Sequence, residues 1–168
     1  GEKTLIGDQL VMDEALKYLD KTMDLSKFDS DNNGTIDAVV LVTTLEIDGK
    51  TDFYWAYRFW NIYTDSDKYY FEYDEVSAND YLWASYEFLH EDTNLTGNYS
   101  NKDIINPYTF IHEFGHILGA DDYYDTHYHG SPLGGYDIMD STLGDHNPYT
   151  KFNLGWITSS RLVVTSES

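Results

Sequence analysis

His112-Glu113-Phe114-Gly115-His116-Ile117-Leu118-Gly119-Ala120-Asp121-Asp122 is the stretch on which the reading of this chain turns. Pro107 suits the first turn of a helix, which the sequence predicts to run to about Leu118. Gly119 then ends it in the left-handed conformation. Residues four apart on a helix share a face, so both imidazoles can reach one metal ion. Glu113 falls one step round, beside the open coordination position. Zinc suits this donor set best: imidazole nitrogens, no redox demand, and a water kept as a further ligand. Zinc lowers the pKa of bound water from about 15.7 towards about 7, and Glu113 would take that proton and pass it to the leaving amine. With six histidines in 168 residues, the string HExxH alone arises by accident in roughly 1% of shuffled chains. Adding Gly three positions on and Asp or His six positions on lowers this to roughly one in ten thousand, so chance is a poor account. The turn at Gly119 lets a residue three positions further come back to the metal, which makes the Asp122 carboxylate the third ligand. Asp121, Asp125, His127 and His129 are near enough in sequence to compete with it.

The segment HEFGHILGADDYYD, residues 112–125, resembles the extended zinc signature of the metzincins in the variant whose third ligand is aspartate. It is most similar to the secreted bacterial metallopeptidases of the immune inhibitor A family. Gly135-Tyr136-Asp137-Ile138-Met139-Asp140 resembles the Met-turn of that group, which implies that Met139 forms an apolar floor under the metal. Pro148 to Trp156 resembles the segment that closes the catalytic domain. The similarity spans about 25–45 and 107–157, and between them only the pattern of strands agrees. The resemblance implies an α+β, metzincin-like fold: a mixed twisted sheet, an active-site helix and a small irregular C-terminal lobe. Residues 1–119 would form the upper lobe and 120–168 the lower one. It also implies secretion, a zinc endopeptidase acting on protein or peptide substrates, and a strand along the cleft that pairs with extended substrate. Residues 81–88 are the candidate for that strand. Family members have a strand, a helix and more strands before the point where this chain starts. A chain lacking them would expose a sheet edge and could be an inactive truncated peptidase.

The second signal is Asp29-Ser30-Asp31-Asn32-Asn33-Gly34-Thr35-Ile36-Asp37. Asp29, Asp31, Asn33, Thr35 and Asp37 fall at positions 1, 3, 5, 7 and 9 of an EF-hand-like calcium loop, with Gly34 at the sharp turn. Position 12 is Val40, so the bidentate carboxylate is missing. The same residues also describe an Asx-rich turn that needs no ion. Tyr136 and Tyr149 are candidates for stabilising an oxyanion. His146 is a candidate for lining the cleft or replacing a ligand.

Composition sets the outer bounds. A net charge of -20, from 30 acidic and 10 basic residues, argues against a nucleic-acid partner and against an anionic membrane surface. No apolar run reaches the roughly 20 residues of a membrane span. The chain has no cysteine, so disulfides, thiolate metal sites and a cysteine nucleophile are all excluded. A chain with 17% aromatic residues can still bury a core. It starts at Gly1 with no leader pattern, which suggests a piece of something longer. Helical spacing over 8–22 places Leu10, Val11, Ala15, Leu16 and Leu19 on one face. The β-branched run 36–45 reads as a strand buried on both sides. Strands are expected over 53–60, 69–76 and 81–89, and a loop over 92–106. The rival to a peptidase is a metal-stabilised, non-catalytic module that binds protein or glycan. A fourth protein ligand in the water position would mark it. Cleavage preference and oligomeric state are not encoded in any recognisable pattern.

Overall fold

A computed structural model describes residues 2–45, 47, 56–60, 72–78, 80–90, 105–125, 127, 130–141 and 144–158. Helix α1 spans Glu2–Leu19 and a 3-10 turn spans Leu25–Phe28. Strands follow at β1 (Val39–Thr43), β2 (Tyr57–Trp60), β3 (Glu72–Tyr73), β4 (Val76–Ser77) and β5 (Asp80–Ser85). A second 3-10 turn spans Tyr86–His90, before helices α2 (Tyr108–Ile117), α3 (Ile138–Ser141) and α4 (Pro148–Asn153). This is a mixed α+β chain with a small mixed sheet. No described helix is long and apolar enough to cross a membrane.

The sheet runs in the order β1-β5-β2. β5 lies parallel to β1, with Val39 opposite Tyr81, and antiparallel to β2, with Tyr57 opposite Trp83. Successive side chains of a strand point to opposite faces, and β5 buries both. Tyr81 and Trp83 join Met12 and Leu16 of α1 in one core, with Leu25, Ile36 and Val76. Leu82 and Ala84 face the other way, into a core with Phe88, Phe110 and Ile117. The sheet is therefore a middle layer, with α1 on one side and α2 on the other.

Several expectations need correction here. The strand buried on both faces is β5, not the run 36–45. In β1 burial alternates, and Val40 and Val42 are exposed. β1 is an edge among the described strands, so only one of its faces meets the core. The same topology rules out 81–88 as a substrate-pairing edge, because both neighbours of β5 are taken. Among the described side chains of α1, from residue 9 onward, Gln9, Met12 and Leu16 are buried, while Leu10, Val11 and Leu19 are exposed. The stripe is displaced because a single helix face packs on the sheet. The expected strand 69–76 is a short hairpin in its described part, turning at Asp74 and Glu75 with φ of 50° and 66°. Residues 53–55, 69–71 and most of the expected loop, 92–104, lie outside the described residues.

α2 ends as the sequence predicts. The Gly119 amide donates to the His116 carbonyl at 3.0 Å and the Ala120 amide to Gly115 at 2.9 Å. This pair of bonds is a Schellman closure, and it needs a left-handed residue; Gly119 has φ +95°. Beyond it, Ala120, Ile138 and Met139 form a third small core with Tyr108, Tyr123 and Leu154 packed against it.

Candidate metal centre

α2 carries two different faces. Phe110, Ile111, Phe114 and Leu118 line an apolar groove of about 420 Å³, together with Val40 and Trp156. His112 and His116 project from the opposite side, as a 100° step per residue requires. Both imidazoles and Glu113 are buried. The Gly119 turn returns Asp122 to this side. One Asp122 carboxylate oxygen lies 3.1 Å from His112 Nε2 and 3.3 Å from His116 Nε2. The two rings are edge-to-face with centroids 5.0 Å apart.

The remaining ring nitrogens are held by backbone. His112 Nδ1 donates to the Ile138 carbonyl at 2.9 Å, and His116 Nδ1 to the Ala120 carbonyl at 2.8 Å. A carbonyl oxygen only accepts, so each Nδ1 carries its hydrogen. Both Nε2 atoms face the point where Asp122 arrives: protonated, they donate to its carboxylate, and neutral, they offer their lone pairs there. Backbone carbonyls that fix the tautomer in this way are the usual support of metal-ligating histidines.

These distances suit a small tetrahedral ion. Zinc with bonds of about 2.0–2.2 Å to nitrogen and oxygen sets neighbouring donors roughly 3.3 Å apart. The donor atoms of His112, His116 and Asp122 all lie within 4.8 Å of one another. Among the described residues this group has three members.

Electrostatics follow from burial and mutual proximity. Burial pushes both imidazoles towards the neutral form. Hydrogen bonds to Asp122 and to the two carbonyls outweigh it, and both pKa values are raised. Burial alone would raise Asp122, yet the two histidines hold it well below the ordinary carboxylate range. Glu113 is raised: its burial, with the Asp122 charge beside it, exceeds the pull of the flanking histidines.

Met139 is fully buried, and a Cβ added at Gly115 would meet its Sδ at 2.9 Å. The turn that carries Met139 therefore lies directly against α2. Asp137, also fully buried, ties it down. Its carboxylate accepts from the Met139 amide at 2.8 Å, the Asn147 amide at 2.9 Å and the Thr150 hydroxyl at 2.8 Å. Thr150 Oγ1 in turn lies 3.0 Å from the Tyr123 hydroxyl.

The other candidates sit elsewhere. His146 packs edge-to-face on Trp156, beside Gly115 and 3.7 Å from Asp137, and is not one of the three clustered donors. Burial lowers its pKa. Tyr136 and Tyr149 are 84% and 68% exposed. His127 is exposed and Asp125 accepts from its amide; His129 lies outside the described residues. In the acidic loop, Asp29, Asp31 and Asp37 bring carboxylate oxygens within 4.8 Å of one another. Asp29 accepts from the Asn33 and Gly34 amides, and Asn33 Oδ1 from the Thr35 amide. Those are the bonds of an Asx-rich turn. Sequence reasoning missed Tyr124, whose ring stacks over His112 at 6.1 Å and 25°. Only its place two residues after Asp122 hinted at it.

Comparison with family models, with curated proteins and with solved structures finds no match for this chain.

Proposed function

We propose that this chain is a zinc-dependent endopeptidase domain of metzincin-like architecture. The observation that supports this most is the convergence of two tautomer-locked imidazoles and one carboxylate at tetrahedral donor spacing, with a buried Glu113 adjoining them. His112, His116 and Asp122 would hold the ion. When bound, zinc would supply Lewis acidity, lowering the pKa of a water towards about 7 and polarising the scissile carbonyl. Glu113 accepts the proton of the attacking water and returns it to the leaving nitrogen.

β2 is an edge among the described strands and packs against α2. It is therefore better placed than residues 81–88 to take an extended peptide by backbone pairing. The net charge of -20 would draw basic or neutral peptides over acidic ones, an attraction that salt screens. Secretion belongs to the same reading. Among the described residues the donor group has three members, and three protein ligands with a water in the fourth position would favour catalysis over a closed structural site. Calcium in the acidic loop would stiffen the approach to β1, and this rests on the clustered carboxylates alone.

The test pairs elemental analysis with casein cleavage by the wild type and Glu113→Gln. The expected result is equimolar zinc in both proteins, with cleavage reduced about 100-fold or more in the variant. A protein purified without chelator that carries no zinc would overturn the proposal. So would a variant that cleaves as well as the wild type.

A further inference from the structure

One of the three clustered donors, His112, has its outer nitrogen fixed by a carbonyl from further along the chain: Nδ1 donates to Ile138 at 2.9 Å. That carbonyl and the Met139 amide are the two ends of a single peptide group, planar and conjugated. The Met139 end is held as well. Its N–H donates to Asp137 Oδ1 at 2.8 Å. One peptide thus joins a carboxylate to an imidazole, in the order Asp137, Met139 N–H, Ile138 C=O, His112 Nδ1–H.

Taken alone, the bond from Met139 to Asp137 is that of a residue capping α3. Three features exceed a cap. Asp137 is fully buried, so water does not screen its charge. Its other oxygen accepts from the Asn147 amide at 2.9 Å and the Thr150 hydroxyl at 2.8 Å, which fixes the carboxylate from the side of α4. All three of these donors are neutral, and His146 Nδ1 stands 3.7 Å off, too far for a hydrogen bond.

Hydrogen bonds in a chain polarise one another. A carboxylate on the N–H makes the carbonyl at the other end a better acceptor, and so favours the Nδ1–H tautomer that leaves Nε2 for an ion. Carboxylates commonly support metal-ligating histidines by direct contact; here a peptide lies between. His116 lacks this backing. Its Nδ1 donates to the Ala120 carbonyl, whose peptide ends at the Asp121 amide, and no described group accepts from that amide.

Building on the zinc reading above, we infer that Asp137 is a positioning residue of the metal centre: it acts on His112 through the peptide between Ile138 and Met139, setting the orientation and basicity of that ring.

The experiment compares wild type, Asp137→Asn and Thr150→Val. It reads zinc affinity, the visible spectrum of the cobalt(II)-loaded proteins, the imidazole N–H resonances of the zinc-loaded proteins and the melting of the chelated proteins. Asp137→Asn keeps an acceptor for the Met139 amide and removes the charge. Its zinc affinity should fall about tenfold, and its cobalt spectrum should shift. The His112 Nδ1–H resonance should move upfield while that of His116 stays. Thr150→Val loosens the same carboxylate from its other oxygen; it should melt earlier, yet keep the zinc affinity and both resonances. Zinc affinities that fall in step with melting in both variants would make Asp137 a structural cap and overturn the assignment. So would equal zinc affinity and an unmoved His112 resonance in Asp137→Asn. If Asp137→Asn does not fold, the wild type decides. Polarisation runs along the chain in both directions, so zinc loading should move the Met139 amide proton downfield, and an unmoved amide overturns the assignment. Wild type that takes up neither zinc nor cobalt overturns it together with the metal centre; metal bound equally by wild type and Asp137→Asn overturns it alone.

Discussion

Replacing Gly119 by Ala isolates the turn that links helix to third ligand. Gly119 has φ +95°, where a side chain is strained whatever the space around it. An added Cβ would come no nearer than 3.4 Å, to Leu154 Cδ2, which is ordinary van der Waals contact. The penalty is therefore conformational and not steric. A left-handed L-residue costs about 1–2 kcal/mol. Ala also restricts the unfolded chain, which offsets about 0.4–1 kcal/mol of this. The net loss is about 1 kcal/mol, which for a chain of this size lowers the melting temperature by roughly 2–4 °C. The effect on metal should be larger. The Ala120 carbonyl that holds His116, and Asp122 itself, lie one and three residues beyond the strained position. Relaxation of the turn would displace both, and zinc affinity should fall about tenfold. Thermal melts of the chelated proteins and competition titrations with a zinc indicator measure the two effects. Gly119→Asn is the control, because Asn tolerates the left-handed region and should recover most of each loss. An alanine variant that melts at or above the wild type and binds zinc equally would refute the reasoning.

Two further outcomes follow from the same geometry. Thr150→Val removes the hydroxyl that joins Asp137 to Tyr123 and leaves a buried carboxylate short of a donor; urea unfolding should show a loss of about 1–3 kcal/mol. In chelated protein the raised His112 and His116 contribute stability that is fully present below pH 6.5 and fades as pH rises through their folded values. The depressed Asp122 contributes above its ordinary 3.8, fading as pH falls. Melts against pH should therefore show this contribution greatest between about 4 and 6.5. Zinc, which competes with protons for both rings, should reverse the trend and stabilise more above pH 7. A zinc-induced shift that is the same at pH 5.5 and 7.5 would count against the site.

What the sequence encoded well was local. Pro107, the histidine spacing and Gly119 are all read within a few turns of chain, and α2 follows them closely. What it encoded poorly was which side of an element meets another. The β-branched run around β1 has the composition of a central strand, but its position at the described edge leaves Val40 and Val42 exposed. Strand order is fixed by long-range pairing that composition does not carry, so β5 and the run 36–45 exchanged roles. The turn at Asp74-Glu75 was hidden because neither residue is Gly or Asn, the usual occupants of positive φ. Tyr124 was hidden among 16 tyrosines; its place against the His112 ring depends on where the Gly119 turn throws it. α4 was legible in principle, since Asn147 caps it and Pro148 opens it, with the Asn147 side chain accepting from the Tyr149 and Thr150 amides.

The Gly119 turn also bears on how the chain folds. Both imidazoles, the carboxylate and the Ala120 carbonyl lie within eleven consecutive residues, 112–122, and only the Ile138 carbonyl comes from further along. Short loops close quickly and at small entropic cost, whereas the parallel pairing of β1 with β5 must wait for a long connection to close. The segment 117–122 can thus condense with its own helix before the sheet exists. A divalent ion present at that stage would act as a template for the segment beyond it. Refolding should then be faster with zinc added at the start than with zinc added after collapse, and equal rates would show that the loop forms late.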